Sequence, residues 1–390
     1  MRSQYKILHT TYRTKWDYVE KRILNESVWM EENGHSIIIA APTDTPLFLK
    51  AKAHGFKVYG IDFKRLSAIK DYKFLKRIFY NEKPDIINTH GTRDSKLALL
   101  AAKKAEVPLR ILSRHNDKPV RNSFFNRKIY KKYCHYIFTT SDDTTKYIKK
   151  KFKLKDMQIF SISNGIIEPD NLIQKNEARI LLAQELDLDI NTQFIGFVGK
   201  QIGNKDISTL FEAFRNIKNS LDSYHVAIIG DIKNEYKNYL KKLATNLQIS
   251  NQIHFLGFKE NIWPYYRAID CKILPEKNVQ NRSNESVPLN ILEAMICKCP
   301  VIGSKNTSLV DVIDHEKTGL LYEPSNSSDL SDKILKTVQN INDTNERIQN
   351  AFDFAKNNHT IASMGRDINR IYRLHQVKLE RHHFKAGDIS

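Results

Sequence analysis

The chain has 390 residues, of which 41% are hydrophobic and 27% are charged, and this composition is typical of a globular protein with more than one domain. The formal net charge is +18, and residues 1–168 hold 34 Lys and Arg against 17 Asp and Glu, a net charge of +17. The sequence lacks an apolar run of about 18 residues and an N-terminal signal-peptide pattern, and its four cysteines are typical of reduced thiols in a cytosolic protein.

Short apolar runs alternate with longer amphipathic stretches along the first half of the chain. A helix is predicted over 19–33, and further helices are expected between the strands. The predicted strands are 5–9, 36–41, 58–61, 86–89, 110–113, 137–140 and 159–161. Alternation of strands and helices predicts a parallel sheet covered by helices, which we assign to a first domain over 1–168.

The same alternation restarts after a connector that contains a short helix. The predicted strands are 194–198, 226–230, 253–256, 271–274 and 300–303, and the predicted helices are 208–219, 235–247 and 289–297. We assign 169–360 to a second domain, and 361–390 to a C-terminal helix that returns to the first domain and a tail. The predicted class is α/β, with two Rossmann-like doubly wound domains and a ligand site in the cleft between them.

The segment over 284–323 is the densest in candidate functional residues. Glu285 and Glu293 are eight positions apart, and Pro288 stands between them where a helix can begin, since proline is favoured at the start of a helix. A helix start flanked by two carboxylates can hold a phosphate on its amide groups and hydroxyl groups on its acids. The spacing alone favours an ordinary helix with an acid at its start and one solvated glutamate.

The wider segment resembles the nucleotide-sugar-binding segment of the retaining glycosyltransferases of family 4, which have the GT-B fold. The resemblance rests on Glu285, then Glu293-Ala294-Met295, Pro300-Val301 and Thr318-Gly319-Leu320-Leu321 in the family's order and spacing. It implies that Glu293 binds the ribose, that Glu285 binds the donor sugar, and that amide groups near Pro288 and Leu289 bind phosphate.

Upstream, Lys200 and Lys205 resemble the basic residues of this family that grip the leaving diphosphate. We expect both lysines in a loop after a strand, where they bury little surface. The resemblance further implies that Gly230 ends the strand that approaches the nucleotide, and that Phe258 lies beside the base.

Two histidines follow predicted strands of the first domain. His115 matches the family position that approaches the donor sugar, and His90 is a second candidate. The chain departs from the family at Asp17-Tyr18, where the family has Gly-Gly. Side chains at these positions are expected to crowd a phosphate, and the Asp17 carboxylate to repel it.

The resemblance implies transfer of a sugar from a nucleotide-diphosphate donor with retention at the anomeric carbon. Lys200, Lys205, Glu285 and His115 are then the candidate catalytic residues, because positioning and charge stabilisation of the departing diphosphate lower the barrier. No Asp-x-Asp pair stands at a predicted strand end, so we expect no metal and no cofactor beyond the nucleotide-sugar substrate.

The charge distribution suggests the acceptor. Residues 64–83 contain seven Lys and Arg against two acids, and residues 121–155 contain eleven against two, with aromatic residues interleaved. Such a surface suits an anionic bilayer, although a solvated basic face explains it as well. We therefore expect a cytoplasmic bacterial enzyme, peripheral on the membrane, that extends a lipid-linked glycan of the cell envelope, such as lipopolysaccharide.

Two alternatives stay open. A relative that binds the nucleotide sugar but is catalytically impaired would explain Asp17-Tyr18 and the lysine at position 200. A nucleic-acid-binding protein would also use a net charge of +17, but no helix-turn-helix, zinc-finger or RNP-type motif is visible, and we expect no nucleic-acid partner.

Overall fold

The computed structural model describes residues 4–116, 119–169, 171–201, 205–276, 288–305 and 308–387. The chain divides into two compact units. The first unit comprises Met1–Gly165 and Ile361–Ser390, and the second comprises Ile166–Thr360. The division lies three residues before the expected boundary at 168, and the C-terminal segment belongs to the first unit.

The first unit is built on a parallel sheet, whose described strands have the order β3-β2-β1-β4-β5-β6-β7. The strands are β1 (Lys6–Thr10), β2 (Ser36–Ala41), β3 (Lys57–Gly60), β4 (Ile86–Thr89), β5 (Leu109–Ser113), β6 (Tyr136–Thr139) and β7 (Ile159–Ser161). The order places β1 and β4 side by side at the point where the direction of winding reverses, which is where sheets of this type bind ligands.

Helices cover both faces of this sheet. They are α1 (Tyr18–Glu32), α2 (Pro46–His54), α3 (Ala68–Glu82), α4 (Thr92–Lys104), α5 (Phe124–Lys128), α6 (Asp142–Phe152) and the C-terminal α14 (Ile361–Gly387). Ile23 of α1 and Ile368 of α14 are fully buried in one core with Ile7 of β1. Gly365 allows α14 to approach α1 closely, because a Cβ atom there would overlap the Trp29 ring.

The second unit repeats the plan with the strand order β10-β9-β8-β11-β12-β13, again parallel. The strands are β8 (Gln193–Gln201), β9 (Tyr224–Asp231), β10 (Ile253–Gly257), β11 (Cys271–Leu274), β12 (Val301–Ser304) and β13 (Leu320–Tyr322). The helices are α7 (Lys175–Glu185), α8 (Ile207–Ile217), α9 (Asn234–Asn246), α10 (Trp263–Ala268), α11 (Leu289–Ile296), α12 (Ser327–Gln339) and α13 (Ile341–Asn358). One apolar core joins these elements.

The observed class is the predicted one, with two Rossmann-like α/β units. Every predicted strand is present to within two or three residues at each end. β13, a strand of three residues that begins in the Thr-Gly-Leu-Leu motif, was not predicted from the sequence. No helix in the described ranges is long and apolar enough to cross a membrane.

Candidate active site

In the second unit, the carboxyl ends of the central strands and the start of α11 lie together. The Asn290 side chain donates a hydrogen bond from Nδ2 to the backbone oxygen of Val198 near the end of β8, at 3.1 Å. A Cβ atom on Gly199 would lie 2.9 Å from the Phe197 ring and 3.3 Å from that same nitrogen. The small residue therefore permits the close approach that fixes the helix start against the strand end.

Pro288 directly precedes α11 with φ −66° and Leu289 is its first residue, as the sequence indicated. Both are partly exposed. Because the first amide groups of a helix carry partial positive charge, this end of α11 favours an anion such as a phosphate.

Glu293 lies one turn further along α11 and is partly buried. Its Oε2 accepts a hydrogen bond of 2.9 Å from the hydroxyl of Tyr266, which is fully buried in α10. Burial and the neighbouring Glu293 carboxylate raise the pKa of Tyr266 well above its ordinary value. Tyr266 therefore remains a hydrogen-bond donor and orients the carboxylate.

Lys205 follows β8. The prediction that its side chain is exposed in a loop was wrong. Its ammonium group forms an ion pair with Glu276, which follows β11, and the two side chains are only 19% and 9% exposed. The backbone oxygen of Lys205 accepts a hydrogen bond of 2.8 Å from the hydroxyl of Tyr236. Lys205 is thus a held cation rather than a freely moving one.

Lys272 was not singled out from the sequence, and its ammonium group interacts electrostatically with Glu293, Lys205 and Glu276. It is fully buried in β11, and its ammonium nitrogen has no hydrogen-bond partner among the described residues. Burial lowers the pKa of Lys272 to about 7, and Glu293 and Glu276 act on it in the opposite direction. The signal available in the sequence was a charged residue inside a short apolar strand.

The remaining predicted residues of this unit stand as follows. Gly230 is the penultimate residue of β9 and has φ +142°, a conformation that favours glycine. Phe258 follows β10 and is 60% exposed. Lys200 lies within β8 rather than in the expected loop, which corrects that prediction, and Glu285 lies outside the described residues.

In the first unit, His115 lies just beyond the end of β5 and is 4% exposed. Its Nε2 is 2.8 Å from Nδ1 of His90, and Nε2 of His90 is 2.9 Å from Nδ1 of His9 in β1. Both expected histidines are therefore brought together. His9 was missed, because a histidine inside an apolar strand gives no signal unless its neighbours across the sheet are known.

Asp17 and Tyr18 have structural roles in this unit. Asp17 caps α1, and its carboxylate pairs with the guanidinium of Arg13 at 3.3 Å. The Tyr18 hydroxyl donates a hydrogen bond to the backbone oxygen of His115. The negative charge of Asp17 is therefore partly compensated by Arg13, and the Tyr18 hydroxyl holds the backbone at His115, two residues after β5.

Neither unit shows a metal centre in the part of the chain that the structure describes, where no cluster of three or more His, Cys, Asp or Glu side chains is placed to hold an ion. Burial raises the pKa of Cys299 to about 12. Cys299, which forms a Cys-x-Cys pair with the buried Cys297, is thus a protonated thiol at neutral pH.

Two family models match the chain, one for each unit. Residues 19–168 match the model described as Glycosyltransferase Family 4, and residues 177–354 match the model described as Glycosyl transferases group 1.

Curated relatives extend these matches over most of the chain. One is the UDP-Gal:α-D-GlcNAc-diphosphoundecaprenol α-1,3-galactosyltransferase of Escherichia coli, which is 26% identical over 91% of this chain and 95% of its own length. Another is the N,N'-diacetylbacillosaminyl-diphospho-undecaprenol α-1,3-N-acetylgalactosaminyltransferase of Campylobacter jejuni, 21% identical over 78% and 82%.

Among solved structures, a glycosyltransferase from Rickettsia africae superimposes with a TM-score of 0.80 and 20% identity, over 96% of this chain and 99% of that one. This likeness shows the fold, and the two family models match most residues of both units. The chain belongs to glycosyltransferase family 4 and has the GT-B fold.

Proposed function

We propose that this glycosyltransferase moves a sugar from a nucleotide-diphosphate donor to a lipid-linked glycan of the bacterial envelope, with retention and without a metal ion. The observation that carries the proposal is the arrangement at α11, where a helix start meets the end of β8 and Tyr266 orients the Glu293 carboxylate. The two relatives support the acceptor class, because their names specify undecaprenyl-diphosphate-linked sugars.

The donor is bound through its diphosphate and its ribose. The free backbone N–H groups of the first turn of α11, which begin at Leu289, and the cation of Lys205 attract the phosphates, and Lys200 supplies a second cation. Glu293 accepts hydrogen bonds from the ribose hydroxyls, and Glu285 from the donor sugar.

As the sugar leaves, negative charge grows on the diphosphate. Charge that is already in place stabilises this state without reorganisation, which is usually the largest single contribution to catalysis. Lys205 suits this role because its ion pair with Glu276 holds the ammonium group in position. Because the protein supplies these cations, the proposed reaction needs no metal ion.

The first unit is proposed to meet the anionic membrane that holds the acceptor. The outer face of α3 exposes apolar side chains among basic ones. Ile69 is 76% exposed, Tyr80 is 54% exposed, and Leu66 just before the helix is fully exposed. The exposed basic residues of the same helix are Lys70, Lys73 and Arg77. A basic, partly apolar helix face binds at the interface of an anionic bilayer.

The test is an assay of the full chain with UDP-, GDP- and ADP-sugars and a polyprenyl-diphosphate-linked sugar as acceptor. We expect one donor to yield an extended lipid-linked product whose new linkage keeps the donor's anomeric configuration, and we expect the rate to be unchanged by EDTA. Inversion at the anomeric carbon or loss of turnover with EDTA would contradict the mechanism. Thermal stabilisation by a nucleotide without turnover of any donor would favour the catalytically impaired relative.

A further inference from the structure

Three buried imidazole rings of the first unit form one hydrogen-bonded chain. His9 lies inside β1, His90 follows β4 by one residue and His115 follows β5 by two, so the chain leads from the sheet interior to the strand ends. The two N···N distances are 2.9 and 2.8 Å, and the ring centroids are 5.2 and 5.1 Å apart. Nitrogen contacts this short at such centroid distances place the rings edge to edge.

The surroundings keep these rings neutral. Burial is the main cause that lowers the pKa of His9 to about 3 and those of His90 and His115 well below the ordinary value. The guanidinium groups of Arg22 and Arg13 act on His115 in the same direction.

Two acidic groups lie close to the chain on other elements. Asp94 of α4 accepts hydrogen bonds from the His90 amide at 3.2 Å and from the Thr10 hydroxyl at 2.9 Å, and its pKa is raised by burial to about 6. Glu26 of α1 pairs with Arg22 at 3.8 Å and accepts a hydrogen bond of 3.3 Å from the Asn88 side chain of β4. The Asp94 contacts tie the end of β1 to His90, and the Asn88 contact holds β4 against α1.

A chain of three neutral imidazoles has only two proton arrangements. Each neutral ring has one N–H and one bare nitrogen, so two of the three protons lie between rings and the third lies at one end. That end is either Nδ1 of His115 or Nε2 of His9. Neither of these two atoms has a hydrogen-bond partner among the described residues.

The position of the two ends favours one arrangement. An orphaned buried N–H is rare in proteins, so the third proton belongs at the end where a partner can be supplied. His9 is fully buried within a central strand, whereas His115 lies beyond the end of β5, on the side of a parallel sheet where ligands bind.

We propose that His90 and His9 are positioning residues that hold His115 as the neutral Nδ1–H form, so that it presents an uncharged hydrogen-bond donor to the donor substrate. In this arrangement His9 donates from Nδ1 to His90, and His90 donates from Nδ1 to His115. The inference about the substrate rests on the proposed function, while the proton arrangement stands on the geometry alone.

The proton arrangement is read by long-range ¹H–¹⁵N correlation spectra of the full chain with ¹⁵N-labelled histidine at pH 7. Single histidine variants assign the signals of the three rings. We expect all three to carry the proton on Nδ1 and to have a bare Nε2. A proton on Nε2 of any of the three, or a doubly protonated ring, overturns the proposal.

A matched pair of variants tests the positioning role. His90→Asn keeps an amide near the place of Nδ1 and can still donate to His115, whereas His90→Gln moves the amide to the place of Nε2 and cannot. We expect kcat within about 3-fold of wild type for Asn and a loss of about 10-fold or more for Gln, with KM changed less than kcat. Equal kcat in the two variants overturns the role.

Folding and function are kept apart by two further measurements. If His90→Gln does not fold, His9→Asn and His9→Leu replace it. Asn is expected to keep the Nδ1–H form of His115 and Leu to lose it, and identical His115 spectra in these two variants overturn the coupling. Absence of turnover in the wild-type chain would count against the proposed function, and the histidine spectra would still decide the proton arrangement.

Discussion

Replacing Lys272 by methionine is expected to stabilise the second unit. The lysine is fully buried in β11, and its ammonium nitrogen lacks a hydrogen-bond partner among the described residues. Methionine is of similar length and has no charge to desolvate, and it adapts to the shape of an apolar site. The variant therefore removes an unfavourable electrostatic contribution while leaving the packing nearly unchanged.

The size of the effect follows from the pKa of Lys272, which burial lowers from 10.5 to about 7. Between these two values the unfolded chain binds more protons than the folded one, so the stability of the wild-type protein rises with pH across this window. Methionine does not titrate. Linkage then gives a stabilisation by Lys272→Met of about 4 kcal/mol at pH 7, about 3 at pH 8 and about 2 at pH 9.

Urea-induced unfolding of the full chain, followed by circular dichroism and tryptophan fluorescence at these three pH values, measures the difference. Lys241→Met is the control, because Lys241 is exposed in α9 of the same unit and is expected to change stability by less than about 0.5 kcal/mol. A Lys272 variant no more stable than wild type would refute the reasoning. So would a gain that does not decline with rising pH.

Three further predictions concern the donor site and the membrane face. Lys205→Ala is expected to lower turnover about 10²-fold or more, whereas Lys205→Arg, which keeps a cation beside Glu276, should retain most of the turnover. Steady-state rates with saturating donor measure both variants, and near-normal turnover of the Ala variant would remove Lys205 from the site. Glu293→Gln is expected to weaken binding of a nucleoside diphosphate by about 1.5–3 kcal/mol in titration calorimetry, and an unchanged Kd would mean that α11 is only structural. Replacing three basic residues of α3 by glutamate should weaken binding to anionic vesicles, measured by co-sedimentation, by roughly 1 kcal/mol per charge lost. An equal loss of binding after the same replacement at three control positions would contradict a membrane-binding face on α3. The reversed residues are Lys70, Lys73 and Arg77, and the controls are Lys233, Lys241 and Lys242 in the second unit.

The fold could be predicted from the sequence because its strands are buried on both faces. β2 is an apolar run after Ser36, every residue of β4 and β11 is buried, and the predicted bounds of all three strands agree with the structure. Such runs alternate with helical patterns, and this order leaves few topologies other than a parallel sheet. β13 has only three residues, too few for a periodic pattern to be recognised.

The candidate site was predictable only where its residues are neighbours in sequence. Pro288, Leu289 and Glu293 belong to one helix and its start, so their relation follows from helix geometry. Lys205 and Glu276 are 71 positions apart, and only the sheet order brings them together. For this reason the sequence predicted an exposed lysine where the structure has a partly buried ion pair.

Lys272 and His9 show a second reason why the sequence was insufficient. Each occupies a strand position that an apolar residue would fill at lower electrostatic cost, and each takes its properties from groups on other strands. Lys272 responds to Glu276 and Glu293, and His9 reaches His115 only through His90. A polar residue inside a strand is visible in the sequence, but its partners are not.

Burial links these polar groups to the proposed chemistry in both units. In water, His115 would be partly protonated near neutral pH, whereas desolvation keeps it neutral and leaves its hydrogen bond to His90 to decide which nitrogen carries the proton. The same loss of water strengthens the attraction between Lys205 and Glu276, so the cation stays where a leaving diphosphate needs it. Apolar side chains at these buried positions would make both units more stable, as the expected gain from Lys272→Met illustrates for the second unit. A site that must present fixed charges and a neutral donor requires buried polar groups, and their unfavourable desolvation is a direct consequence of that requirement.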